Sequence, residues 1–86
     1  MVDNKLIGLY GGAFDPIHKA HISIAQNCIK KIGLNKIIFI PTGHAPSSKI
    51  LSSHYHRLKM LNIVCKEKFF EFSDFEINEY LNQKKI

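Results

Sequence analysis

The sequence predicts an α/β fold: a Rossmann-like parallel sheet of three strands with crossover helices, half of a doubly wound architecture. Three observations carry this expectation. Short apolar runs at residues 5–10, 37–40 and 69–72 alternate with two stretches of helical periodicity. The second run, Ile37-Ile38-Phe39-Ile40, is continuous rather than alternating, as in an interior parallel strand. Gly11-Gly12 and Gly33 punctuate the first strand and the first helix.

Taken in order, residues 5–10 are the first strand and residues 11–18 a loop. From Lys19 to Ile32, apolar residues recur at Ile24, Cys28, Ile29 and Ile32, with Ala20 and Ala25 beside them. Gln26, Asn27, Lys30 and Lys31 fill the other side, which makes an amphipathic helix. Gly33 suits the left-handed position after it. The run 37–40 then completes a βαβ unit with a right-handed crossover. Pro41 to Ser53, rich in Pro, Gly, Ser and Thr, reads as a loop. From Ser53 to Lys66, Tyr55, Leu58, Leu61 and Cys65 share one helical face, with Met60 and Val64 alongside and serines available as caps. Phe69-Phe70-Glu71-Phe72 is the third strand, and its alternation is read on through Phe75 and Ile77. The polar tail from Asn78 is read as a short helix or a frayed end.

At 86 residues the chain is one small domain, and 45% hydrophobic content with 22% charge is ordinary for a globular protein. The formal charge of +5 suits an anionic ligand. The basic residues are scattered, with one arginine and no block interleaved with aromatics, so nucleic acid is not the expected partner. Cys28 and Cys65 form no C-x-x-C pair and are expected as buried, reduced thiols within helices. No apolar run approaches the roughly 20 residues of a membrane span. The N-terminus lacks the build of a signal peptide, so no membrane association and a cytoplasmic location are expected.

The chemistry concentrates in Gly11-Gly12-Ala13-Phe14-Asp15-Pro16-Ile17-His18-Lys19-Ala20-His21. Ligands of open α/β sheets bind beyond the carboxyl ends of the strands, where this segment meets the segment Pro41 to Ser53. Gly11 and Gly12 let a nucleotide approach the backbone. The helix start offers unpaired N–H groups and a positive dipole end. His18 and His21, three residues apart, bring two imidazoles to one side, where they would hold a polyphosphate. Neither G-x-G-x-x-G nor a P-loop is present. Two other readings stay open on the motif alone. One is a zinc site with His44, for which no carboxylate or thiolate completes the set. The other is a pair of histidines that only cap the helix.

These residues resemble the Gly-Gly-x-Phe-Asp-Pro-x-His signature of the nucleotidyltransferase superfamily. The form here is most similar to bacterial nicotinate-nucleotide adenylyltransferases. The related phosphopantetheine adenylyltransferases, kept as an alternative, usually have Thr in place of His18. Ile38-Phe39-Ile40-Pro41, His56-Arg57-Leu58-Lys59-Met60-Leu61 and Phe70 to Glu76 continue the resemblance, which runs from Lys5 to Ile77. Ala13 and Ala20 stand where the family usually has Thr and Gly. Ala45-Pro46-Ser47-Ser48, with Lys49 after it, stands where it has Pro-Pro-His-Lys.

The resemblance implies half of a nucleotidyltransferase doubly wound fold, with residues 1–86 a single truncated domain corresponding to the N-terminal half. It implies adenylyl transfer from ATP to nicotinate mononucleotide, giving deamido-NAD and pyrophosphate. His18 and His21 would be the catalytic pair on the ATP phosphates, and Gly11, Gly12, Ala13 and Phe14 would cradle the nucleotide. Mg²⁺ would bridge phosphate oxygens, carried by the substrate. Thr42 and Lys49 are further candidate anion contacts, equally readable as a turn threonine and an exposed loop lysine. The implied missing half raises two further readings: a non-catalytic remnant, or a module that needs a complementary C-terminal chain or associates with itself.

Overall fold

The computed structural model describes residues 5–43 and 54–83. Strand β1 (Ile7–Gly12) leads into helix α1 (Lys19–Cys28), which widens into a π-helical turn over Ile29–Gly33. Strand β2 (Lys36–Pro41), helix α2 (His54–Val64), strand β3 (Phe70–Phe72) and helix α3 (Phe75–Gln83) follow. The three strands form one parallel sheet in the order β1-β2-β3, as expected from the apolar runs. Ile7 lies opposite Lys36 and Gly12 opposite Pro41, while Ile37 lies opposite Phe70.

The central strand carries the core. Ile37, Phe39 and Pro41 alternate inward along β2 and are buried. Phe39 is fully buried, its ring meeting those of Tyr10, Phe14 and Phe70 at centroid distances of 5.3–5.5 Å. Ala25 from α1, Leu61 from α2, Ile17 and Phe70 complete the cluster. Burying each large apolar side chain contributes about 1.5–3 kcal/mol. Strand β1 forms one edge of this sheet, and Leu9 on it is 69% exposed.

Several boundaries differ from expectation. Gly11 and Gly12 belong to β1, not to the loop, because the parallel ladder with β2 continues through them to Thr42, whose N–H donates to the Gly12 carbonyl at 2.8 Å. The α-helix stops at Cys28 rather than Ile32. The last turn widens, and the Leu34 N–H reaches back to the Ile29 carbonyl at 3.2 Å, with Gly33 at the expected positive φ of 77°.

Phe75 and Ile77 do not extend β3. They begin α3, where the Ser73 hydroxyl accepts from the Phe75 N–H at 3.3 Å and Glu76 lies in the positive first turn. On α2 the buried residues are Arg57 and Leu61, one turn apart. Tyr55 and Met60, expected on or beside the inner face, are exposed. The serines proposed to cap α2 lie outside the described residues. Cys28 and Cys65 are free and half-buried rather than fully buried, and Cys65 falls just past the end of α2. Burial first, then the Glu71 charge, pushes the Cys65 thiol up to about 11, so it stays protonated near neutral pH. Among the described residues no helix is long and apolar enough to cross a membrane.

Candidate functional site

The C-terminal ends of β1 and β2 lie side by side, and the segments that leave them form the site. Ala13 and Phe14 follow β1, the turn at Asp15–Pro16 contains a cis peptide bond, and His18 caps α1. Phe14 adopts a positive φ of 46°, unusual for a bulky residue. The left-handed position in this loop therefore falls on Phe14 and not on either glycine. The Phe14 ring turns back under the sheet end and is almost fully buried. It lies against Gly12, where a Cβ would stand 3.4 Å from it, in ordinary van der Waals contact. At Gly11 a Cβ would meet only the Ile40 carbonyl, at 3.9 Å, so that position has open space beside it.

His18 and His21 are brought together, and they cap the helix reciprocally. The Ala20 N–H donates to His18 Nδ1 at 3.2 Å, and the His18 N–H donates to His21 Nδ1 at 3.1 Å. This is a capping box built from two histidines in place of the usual Ser/Thr and Glu/Gln pair. A backbone N–H has only a proton to give, so both Nδ1 atoms must carry free lone pairs. Each neutral ring then holds its proton on Nε2. The ring centroids are 4.1 Å apart. The capping arrangement thus leaves both Nε2–H groups unspent by the cap, two donors on neighbouring rings at a helix N-terminus. The capping and ligand readings left open by the motif are compatible, because they use opposite nitrogens of the same rings.

His21 is further fixed by aromatic neighbours. Phe14 meets it edge-to-face at 5.2 Å and Tyr10 at 6.1 Å. Partial burial, and secondarily the charge of His18, hold the His21 imidazole below its ordinary value of 6.5, which favours the neutral ring.

Arg57, absent from the residues singled out by sequence, reaches this site from α2 and is 1% exposed. Its Nη1 donates to the Ala13 carbonyl at 3.0 Å and to the Thr42 carbonyl at 2.9 Å. Burial pulls the guanidinium down from its ordinary value and Asp15 pushes it back up; it remains a cation. Its only sequence signal was its place in the His56-to-Leu61 segment that resembles the superfamily. Thr42 lies beside Gly12, in reach of the site, whereas Lys49 and His44 lie outside the described residues. Among the described residues no three His, Cys, Asp or Glu side chains converge as a metal site.

Residues 9–86 match the cytidylyltransferase-like family. The chain is 38% identical over 76 residues to a protein of Clostridium novyi named a probable nicotinate-nucleotide adenylyltransferase, covering 85% of this chain and 38% of that one. It is 42% identical over 74 residues to a protein of the same name from Methylacidiphilum infernorum, covering 83% of this chain and 36% of the relative. A solved structure, the Plasmodium falciparum nicotinic acid mononucleotide adenylyltransferase complexed with NaAD, superposes with a TM-score of 0.70 at 23% identity. It matches 95% of this chain and 46% of its own, a likeness of fold. The chain spans less than two fifths of the length of these two relatives.

Proposed function

The chain belongs to the cytidylyltransferase-like family, and on that premise we propose that it forms the ATP side of a nicotinate-nucleotide adenylyltransferase site. One observation carries the reading: two imidazoles with centroids 4.1 Å apart at the start of α1, both with Nδ1 spent on the helix cap. The names of the two bacterial relatives support the acceptor assignment.

In the proposed reaction a phosphate oxygen of nicotinate mononucleotide attacks the α-phosphorus of ATP. The bond from that phosphorus to the bridging oxygen breaks, and pyrophosphate leaves with the electron pair. The nucleophile is already an anion, so no strong base is needed. Catalysis consists of positioning and charge neutralisation. His18 and His21 would donate through Nε2–H to the phosphates and the departing pyrophosphate. The backbone from Gly11 to Phe14 would cradle the nucleotide, and Thr42 and Lys49 would add anion contacts. Mg²⁺ would enter with the substrate as Mg–ATP and would neutralise phosphate charge there. The acceptor's contacts would come from polypeptide beyond the described residues or from a complementary chain. The reading also places the protein in the cytoplasm, where both substrates would be met.

Isothermal titration with Mg–ATP tests the proposal. Wild type binds, and His18→Ala and His21→Ala each weaken binding by about tenfold or more, as expected for a lost charge-assisted contact. Identical curves for wild type and both variants would reject it.

A further inference from the structure

The nucleotide cradle leaves the burial of Arg57 unexplained. Both protons of its Nη1 are committed, one to the Ala13 carbonyl and one to the Thr42 carbonyl. Its Nε and Nη2 are buried with no hydrogen-bond partner among the described residues. A guanidinium in this condition is a poor stabiliser, because it has left water and recovered only part of its hydrogen bonding. An aliphatic side chain of similar volume would fill the space without that penalty. What an aliphatic chain cannot do is hold two carbonyls from different segments against one nitrogen.

Those two carbonyls are informative. One leaves the end of β1 and the other leaves the end of β2, 44 and 15 residues from Arg57 in sequence. The Ala13 carbonyl belongs to the peptide that enters Phe14, the residue held at φ 46°. The Phe14 ring in turn packs edge-on to His21. A continuous chain of contacts therefore runs from α2 through Ala13 and Phe14 to the second histidine.

We infer that Arg57 is a positioning residue: it staples the β1 exit segment to the β2 exit segment and so sets Phe14 and His21 for phosphate binding. The consequence for phosphate rests on the function proposed above, but the stapling itself does not.

The test uses the 86-residue chain with Arg57→Met, which fills the space without charge, and Arg57→Lys, which keeps the charge but loses the fork. Thermal melting, amide hydrogen exchange and Mg–ATP titration are measured together. Arg57→Met relieves the buried charge but leaves the Ala13 and Thr42 carbonyls without this donor, so only a modest fall in melting temperature is expected. The Thr42 amide, bonded to the Gly12 carbonyl, should exchange about tenfold faster or more while the Ile37 amide, bonded to the Phe69 carbonyl, keeps its rate, a sign of local opening. Mg–ATP affinity should fall by about tenfold through lost preorganisation, with partial recovery in Arg57→Lys.

Unchanged Thr42 exchange in folded Arg57→Met would overturn the inference. So would Thr42 and Ile37 exchange rising together, which would mark an ordinary structural role. If Arg57→Met does not fold, Arg57→Lys decides by the same comparison of the two amides. If wild type does not bind Mg–ATP, the proposed function fails, and the exchange data alone still decide whether Arg57 staples the segments.

Discussion

His21 couples ionisation to folding at the level of a single side chain. Its folded value lies below 6.5, chiefly through burial and secondarily through His18. The folded chain therefore binds fewer protons at this ring than the unfolded chain does. Its contribution to stability is intact above 6.5 and is lost as pH falls from 6.5 through the lowered folded value. Protonation would also convert Nδ1 from acceptor to donor and break its bond from the His18 N–H. Melting temperatures taken across this window should fall more steeply for wild type than for His21→Gln, since Gln supplies the capping acceptor without titrating. Parallel profiles would show that His21 is not the linked group. The pairing of His18 and His21 was legible in the sequence as a spacing. The tautomers were not, because they follow from which backbone N–H each ring meets.

At the scale of elements, the start of α1 separates capping from ligand binding. His18→Asn keeps a good N-cap acceptor, whereas His18→Ala removes it at a cost of about 1 kcal/mol. Thermal melting should therefore place Asn near wild type and Ala lower, while Mg–ATP titration should show both weakened because both lack Nε2–H. A variant His18→Asn that binds as wild type would assign the histidine to capping alone. The start of α3 shows how one local pattern overrides another. Ser73 followed three residues later by Glu76 is a helix-start signature. It prevails over the alternation of Phe75 and Ile77, which are also out of phase with Phe70 and Phe72 and would need a bulge to continue β3. The strands and the first two helices were readable because period-two and period-3.6 patterns are properties of neighbouring residues.

For the whole molecule, stability rests on few residues. A chain of this length is expected to hold about 4–13 kcal/mol of folding free energy. Phe39 is fully buried on the central strand against Tyr10, Phe14 and Phe70. Phe39→Ala should cost about 3–5 kcal/mol, enough to consume most or all of the lower part of that range. Leu9→Ser, at a residue 69% exposed on the edge strand, should change stability by roughly 0.5 kcal/mol or less. Chemical denaturation followed by circular dichroism compares the two. Equal losses would mean that the core is not centred on β2.

The amino-acid sequence alone determined the order of the three strands and the first two helices, the parallel sheet and the placing of two histidines at a helix start. Each of these depends on short-range periodicity, caps and glycine punctuation. Only the tertiary structure decided that Gly11 and Gly12 finish a strand, that Phe14 takes the left-handed turn, and that Arg57 is buried between Ala13 and Thr42. Helical periodicity sorts residues by polarity, so it assigns an arginine to solvent. It has no knowledge of a carbonyl 44 residues away that folding brings within 3.0 Å.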